Sequence, residues 1–273
     1  RGQKLPLTRE AELAAKAGYH ALEPWLNEIE DHVRAGGSLD GLARSIRGQG
    51  LTVESAIAFY QGAADDDAVR RKALDEMKRG MEQVRQIGGT RIAAPPAGLT
   101  DRTDVDPRRL ADRYRAVLEL GDRCGVVPQL ELWGFSKTLG TLSEAAQVAI
   151  AADHPSACLL PDVYHLYKGG SGFHGLRLLN LAAVHVFHAN DYPADPPRDR
   201  ITDADRVYPG DGVAPLRTLF RDLHAGGFTG MLSVELFNRA YWKDDPYTVI
   251  RTALDKLRAA VKNALADTPK GGE

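Results

Sequence analysis

Short apolar segments alternate with longer amphipathic segments along the chain, and this alternation limits the possible folds more than any other feature. The apolar segments have the length of β-strands and lie at 19–24, 51–56, 91–95, 126–132, 157–163, 183–188 and 231–236. Helical patterns lie at 8–17, 38–49, 67–87, 107–124, 143–152, 175–181, 214–225 and 246–265, with Thr8 and Asp67 as predicted N-caps. Strands that are connected by helices form a parallel sheet covered by those helices.

The number of strands indicates how that sheet is arranged. A chain of 273 residues suits an α/β barrel, which needs eight strands, whereas this chain supplies seven. The segment after Arg1 leads directly into a helix, so we expect the remaining strand to precede Arg1. The predicted fold is therefore a (β/α)8 TIM barrel with its first strand upstream of Arg1, in a single domain over residues 1–273. Residues 267–273 are expected to fray.

Composition argues against several classes of protein. A formal net charge of -2 disfavours a nucleic-acid partner, because binding to phosphates usually needs a basic face. The two cysteines, Cys124 and Cys158, predict neither a disulfide framework nor a cysteine zinc site. No apolar run approaches the roughly 18–20 residues needed to span a bilayer, so we expect no membrane partner. A cytoplasmic location is favoured, and export is the expectation if a signal peptide precedes Arg1.

Four successive strands end in residues that can bind a metal. In order along the chain they are Glu131, Asp162, His188 and Glu235. Active sites of parallel barrels lie at the carboxyl ends of the strands, where the inward residues of neighbouring strands meet. Side chains alternate between the faces of a strand, so an inward Glu131 turns Leu130 and Leu132 towards the helices. The same alternation turns Val234 and Leu236 outward beside Glu235.

Three carboxylates and an imidazole that converge on one point would repel one another without a cation. One divalent ion offsets that repulsion, and this oxygen-rich set suits Mn²⁺, Mg²⁺, Co²⁺ or Zn²⁺. The alternative is that each is a solvated residue at the rim of the barrel. Four on consecutive strands favour the metal site.

Three segments of the sequence resemble a known family. They are FHAND at 187–191, TDADRVYPGDG at 202–212 and SVELFNRAYW at 233–242. They resemble sugar phosphate isomerases and epimerases with a xylose isomerase-like barrel, and among these inosose (2-keto-myo-inositol) isomerases most of all. The similarity extends from about residue 7 to 257 and is most specific after Glu131. The amino-terminal half has few diagnostic residues, and the substrate is therefore left open.

The resemblance implies an enzyme of carbohydrate or inositol metabolism that binds one divalent metal, manganese among the candidates. The metal ligands would be the four strand-end residues named above. His165 and Arg206 would contact the substrate, a small keto-sugar or cyclitol. Relatives are often dimers or tetramers, so the resemblance also implies a homo-oligomer.

The chemistry of such a site is proton transfer beside a ketone. Removing that proton gives an enediolate, which a metal stabilises as a Lewis acid. Glu131 and Glu235 are the candidate base and acid. If the two residues remove and return the proton on opposite faces of one carbon, the result is epimerisation. If the proton moves between adjacent carbons, the result is isomerisation.

Other candidate residues have a functional and a structural interpretation. Glu23 and Trp133, which follow strands, could contact the substrate or belong to the packing of the rim. His165 could instead bond the backbone of its loop. Arg206 could form a surface ion pair with Asp203 or Asp205. Asn190 and Asp191, which follow His188, could orient that histidine.

Three other functions remain open. The same metal-stabilised enolate could expel a leaving group by β-elimination, so the chain could be a lyase or hydrolase that cleaves 3-keto-glycosides. The long loop at 192–207 could then admit a larger substrate. Apurinic-site endonucleases share the barrel, but Val207 stands where one of their zinc-binding histidines would follow Asp205. The chain could also be a sugar-binding barrel without activity, although its ligand set is intact.

Overall fold

A computed structural model describes residues 4–266, in which strands and helices alternate as predicted. The strands are β1 (Ala21–Leu22), β2 (Thr52–Val53), β3 (Arg91–Ala94), β4 (Val127–Glu131), β5 (Leu159–Leu160), β6 (Val186–His188) and β7 (Met231–Ser233). The α-helices are α1 (Leu7–Ala17), α2 (Leu26–Arg34), α3 (Leu39–Gly48), α4 (Asp67–Gln86), α5 (Pro107–Cys124), α6 (Leu142–Ala151), α7 (Val163–Lys168), α8 (Leu216–Ala225) and α9 (Pro246–Leu265). The predicted frayed tail at 267–273 lies outside the described residues.

All strand pairs are parallel and follow the order of the chain. Ladders join β1 to β2, β3 to β4, β4 to β5, and β6 to β7. Ala56 connects the first two ladders, since its amide donates to the carbonyl of Arg91 and its carbonyl accepts from Ala93. Bridges at Leu159–Val184 and Asp162–His188 connect β5 to β6. The sheet therefore runs continuously from β1 to β7.

A groove of about 890 Å³ lies between the two ends of this sheet. Ala21 and Leu22 line one side, and residues 231–236 line the other. Within residues 4–266 no ladder joins β7 to β1. The groove lies where a closed barrel of eight strands would have one more, and the strand expected before Arg1 stays a prediction.

Apolar residues fill both the interior of the barrel, enclosed by the sheet, and the layer between the sheet and the helices. Ile57, Ala93, Leu160 and Val186, from four strand regions, form the inner cluster. Leu130 and Leu132 pack in the outer layer, as the predicted parity of β4 requires. Polar residues at the carboxyl ends of the strands lie beyond the inner cluster and form the site. Among the described helices, none is long and apolar enough to span a membrane.

Several element boundaries differ from the prediction. The N-caps of α1 and α4 are Pro6 and Asp66, rather than Thr8 and Asp67. Helices α2 and α7 were not predicted, and the fifth strand was predicted to continue to residue 163. That strand ends at Leu160, and the Asp162 carboxylate accepts a hydrogen bond from the amide of His165 at 2.8 Å. Asp162 is thus the N-cap of α7, which fixes its carboxylate at the mouth of the barrel.

Candidate metal centre and substrate pocket

The four predicted ligands lie at the carboxyl ends of adjacent strands. Glu131 and His188 are the last residues of β4 and β6, and Asp162 and Glu235 each lie two residues after β5 and β7. Glu131, Asp162 and His188 are buried, and the side chain of Glu235 is 16% exposed. Two of the four ligands therefore end a strand, and the other two lie in the segments that directly follow one.

Three of these side chains converge closely enough to share one ion. The candidate ligand atoms of Asp162, His188 and Glu235 all lie within 4.8 Å of one another. Nδ1 of His188 lies 3.7 Å from Oδ2 of Asp162 and 3.6 Å from Oε2 of Glu235. Buried Nδ1 of His188 and Oε2 of Glu131 have no hydrogen-bond partner among residues 4–266. Buried ligand atoms without a hydrogen-bond partner fit a divalent cation, because the cation would coordinate them.

The charges in the site perturb one another strongly. Burial raises the pKa of Glu131 to about 8, and the neighbouring Glu235 and Asp162 add to this effect. Burial also raises the pKa of Glu235, against the opposing effect of His188 and Arg206. Burial favours neutral His188, but Glu23 and Glu235 outweigh it and raise the pKa of His188 to about 10. Without a metal, the cluster thus retains protons that a bound cation would displace.

Asp162 is held by two further side chains, those of Asn190 and Arg206. Asn190 donates from Nδ2 to Oδ2 of Asp162 at 2.8 Å, and its own oxygen accepts from the amide of Tyr164. Nη1 of Arg206 donates to the same Oδ2 at 3.1 Å. Arg206 lowers the pKa of Asp162 although burial opposes this, so the carboxylate stays ionised. Asn190 therefore orients Asp162, rather than His188 as the sequence analysis suggested.

Arg206 lies inside the site. Its side chain is 1% exposed, and Nη1 donates to Oε2 of Glu235 at 2.9 Å as well as to Asp162. Its guanidinium lies over the rings of Tyr164 and Phe237, 4.5 and 5.0 Å from their centroids. The alternative predicted an ion pair with Asp203 at the surface. The ion pair is present, at 2.5 Å, but the guanidinium of Arg206 is buried. The predicted contact between Arg206 and substrate stays a prediction.

Removal of the Arg206 charge should destabilise the metal-free protein. We expect Arg206→Met to lower the free energy of unfolding by about 3–5 kcal/mol, because Asp162 and Glu235 lose a buried cation. The loss should be smaller in protein saturated with a divalent ion. Urea unfolding with chelator or with metal measures both values. The exposed Arg9→Met is the matched control, and equal stability of the two variants would contradict the argument.

His165 is buried beside Arg206. Its Nδ1 accepts from the amide of Gly134 at 3.2 Å, and its Nε2 lies 3.2 Å from Nη2 of Arg206. Burial lowers the pKa of His165 to about 3, so the ring is neutral and has one acceptor nitrogen. If Nδ1 accepts from Gly134, then Nε2 carries the proton. Nε2 and the adjacent Nη2 of Arg206 are then two donors that can meet one acceptor oxygen.

Gly134 and Gly212 allow close approach of the loops around the site. A Cβ on Gly134 would lie 2.3 Å from the carbonyl oxygen of His165, so only glycine lets this strand end reach α7. A Cβ on Gly212 would lie 2.4 Å from Oδ1 of Asp191. Asp191 accepts from the amides of Gly210, Gly212, Ala214 and Tyr192, which orders the loop after Arg206. Asp191 thus bonds this loop, whereas its position after His188 suggested that it orients the histidine.

Aromatic rings form a continuous rim on one side of the mouth. Trp133 stacks on Phe135, with 5.3 Å between centroids, and meets Phe59 edge to face at 5.4 Å. Phe59 in turn meets Trp25 at 5.0 Å. Phe59 and Phe135 are each 46% exposed, so the rim faces solvent as well as packing on itself. Both sequence-based interpretations of Trp133 remain compatible with this position.

Glu23 follows β1 and contacts His188. Its Oε2 lies 3.1 Å from Nε2 of His188, and its side chain is 8% exposed. Burial opposes ionisation of Glu23, but His188 outweighs it and lowers the pKa of this carboxyl. The predicted contact between Glu23 and substrate stays a prediction.

Comparison with known proteins places these observations in context. The profile of the xylose isomerase-like TIM barrel family matches residues 11–260. An inosose isomerase of Bacillus velezensis is 28% identical over 262 residues, which are 93% of this chain and 92% of that protein. A fructoselysine 3-epimerase of Escherichia coli O157:H7 is 26% identical over 268 residues, 94% of each chain. A crystal structure of the IolI protein with a bound zinc atom superposes with a TM-score of 0.87 at 24% identity, covering 96% of this chain and 94% of that one.

Proposed function

This chain belongs to the xylose isomerase-like TIM barrel family, and we propose that it is an isomerase or epimerase acting on a small keto-sugar or cyclitol. The observation that carries the proposal is the convergence of Asp162, His188 and Glu235, whose ligand atoms lie within 4.8 Å of one another. The names of the relatives support the substrate class, since they include an inosose isomerase and a fructoselysine 3-epimerase.

Glu131, Asp162, His188 and Glu235 would together hold one divalent ion. The unpaired Nδ1 of His188 and Oε2 of Glu131 supply ligand atoms that no described residue occupies. Such an ion acts as a Lewis acid and stabilises negative charge that develops on substrate oxygens. Asn190 and the cap of α7 keep the Asp162 carboxylate aimed into this position.

Glu131 and Glu235 would transfer the proton. Glu131 is buried and Glu235 is largely buried, and both have raised pKa values, which brings them nearer to the pH at which an acid or base exchanges protons efficiently. One takes the proton from the carbon beside the ketone, and the resulting enediolate is reprotonated by the other. Reprotonation of the same carbon from the opposite face gives an epimer. Reprotonation of the adjacent carbon, with transfer of the neighbouring hydroxyl proton to the former carbonyl oxygen, gives an isomer.

The remaining residues of the pocket would bind the substrate. In the ring form whose Nδ1 accepts from Gly134, Nε2 of His165 is a donor that lies 3.2 Å from the donor Nη2 of Arg206, and a hydroxyl or carbonyl oxygen could accept from both. Trp133, within the aromatic rim, would stack on the apolar face of the ring.

Uptake of deuterium from solvent tests the proposed function. Metal-loaded protein is incubated in D₂O with a panel of keto-cyclitols and ketohexoses, and the products are followed by NMR. We expect one compound to acquire deuterium at a carbon beside its carbonyl, because that proton is exchanged through Glu131 or Glu235. An inverted configuration at the labelled carbon identifies an epimerase, and a displaced carbonyl identifies an isomerase.

Matched variants make this result specific to the site. Glu119→Gln, on the exposed face of α5, should exchange as fast as the unchanged protein. Glu235→Gln should not exchange measurably. The proposal is overturned if metal-loaded protein labels no compound of the panel.

A further inference from the structure

The two ring nitrogens of His188 lie in different surroundings. Nε2 faces the carboxylate of Glu23 at 3.1 Å, whereas Nδ1 faces Asp162 and Glu235 at 3.7 and 3.6 Å. Within the described part of the chain, Nδ1 has no hydrogen-bond partner. A histidine that binds a metal offers one nitrogen to the ion and keeps a proton on the other. The protein must therefore determine which nitrogen is left free.

We propose that Glu23 is a positioning residue, whose carboxylate holds the proton on Nε2 of His188 and so presents Nδ1 to Asp162 and Glu235. An ionised carboxylate accepts hydrogen bonds and donates none, so it selects the ring form that carries the proton on its side. Carboxylates in this position orient metal-binding histidines and increase their basicity. The inference rests on the metal site of the proposed function, and it gives Glu23 a role other than the predicted substrate contact.

The contact between Glu23 and His188 is buried and joins distant segments of the chain. Glu23 lies one residue after β1, and its contact with His188 spans 165 positions of the sequence, across the interior of the barrel. Its side chain and that of His188 are 8% and 1% exposed, so water does not compete effectively for the hydrogen bond.

The test compares metal binding in two variants of Glu23 and a matched control. Glu23→Gln keeps the volume and one acceptor oxygen, and Glu23→Ala removes the acceptor altogether. Glu54→Gln is the control, since Glu54 pairs with Arg91 one strand away and lines the same groove. Affinity for Zn²⁺ is measured by competition with a chromogenic chelator, and thermal unfolding of the metal-free proteins verifies that each is folded.

We expect Zn²⁺ affinity to fall about tenfold in Glu23→Gln and up to about 100-fold in Glu23→Ala, with no change in Glu54→Gln. Long-range ¹H–¹⁵N spectra of the zinc form, assigned with His188→Gln, should show a slowly exchanging proton on Nε2 and zinc on Nδ1. In Glu23→Ala that proton should exchange with solvent rapidly.

Two outcomes separate the inference from the function on which it rests. If the unchanged protein binds no Zn²⁺, the metal site and the positioning role both fall. If it binds Zn²⁺ and the Glu23 variants bind as tightly as Glu54→Gln, or if zinc is found on Nε2, only the positioning role is overturned.

Discussion

Glu235→Gln is expected to lower kcat/KM by about 10³-fold or more. The substitution removes one of the two proposed proton-transfer groups, and positioned acids and bases contribute about 10²–10⁴-fold to rates. It also replaces a charged metal ligand by a neutral amide. The amide oxygen can still accept from Nη1 of Arg206, which lies 2.9 Å from the carboxylate, so the fold should persist. Steady-state kinetics on the compound identified by deuterium exchange measure the effect.

Metal content and stability separate the causes of this loss. We expect purified Glu235→Gln to retain far less divalent metal than the unchanged protein, and to unfold within a few degrees of it when both are metal-free. Glu119→Gln controls for the loss of a carboxylate and should keep full activity. Retention of more than about a tenth of kcat/KM by Glu235→Gln would remove this residue from the proposed machinery.

The sequence allowed prediction of the fold class and of the residues at the strand ends, because both depend on local patterns. Alternation of apolar and amphipathic segments predicts a parallel barrel, and the family match supports that fold. The parity of residues 129–132 correctly turns Leu130 and Leu132 towards the helices. Glu131 and His188 end their strands as expected, since strand and side-chain direction are both set within a few residues.

Contacts between distant segments could not be read in the same way. Glu23 meets His188 only because the barrel brings β1 opposite β6. Arg206 is buried because its loop crosses the mouth and places the guanidinium between carboxylates, whereas its neighbours Asp203 and Asp205 suggest a surface pair. Pro161 and the cap formed by Asp162 end the fifth strand early, a competition between strand and helix that apolar periodicity does not register.

Removal of the metal is expected to abolish activity and to lower stability in a pH-dependent manner. Dialysis against a chelator should reduce kcat/KM by at least about 10³-fold, and divalent ions should restore it. A divalent ion at 100 times its Kd should stabilise the folded chain by about 2.7 kcal/mol. The direction of the pH dependence follows from the groups that must lose protons before they can bind the ion.

Glu131 and His188 determine that direction. Burial raises the pKa of Glu131 from 4.5 to about 8, so its contribution to the stability of the metal-free protein is present at low pH and is lost as the pH rises towards 8. Despite burial, Glu23 and Glu235 raise the pKa of His188 from 6.5 to about 10, so its contribution is lost over a higher range with the same sign. The pKa values of Glu23 and Asp162 are lowered, so these two groups change the stability of the metal-free protein only at acidic pH.

The metal-free protein should therefore become less stable between about pH 6 and pH 9, while the affinity for metal increases over the same range. Each proton displaced by the ion adds about 1.4 kcal/mol to the stabilisation per pH unit. Thermal unfolding with and without metal at several pH values measures the difference, which should grow with pH. Glu131→Gln should flatten the dependence below pH 8, because the amide has no proton to release. A difference that is constant with pH, or that falls as the pH rises, would contradict the proposal that the ion binds through these two groups.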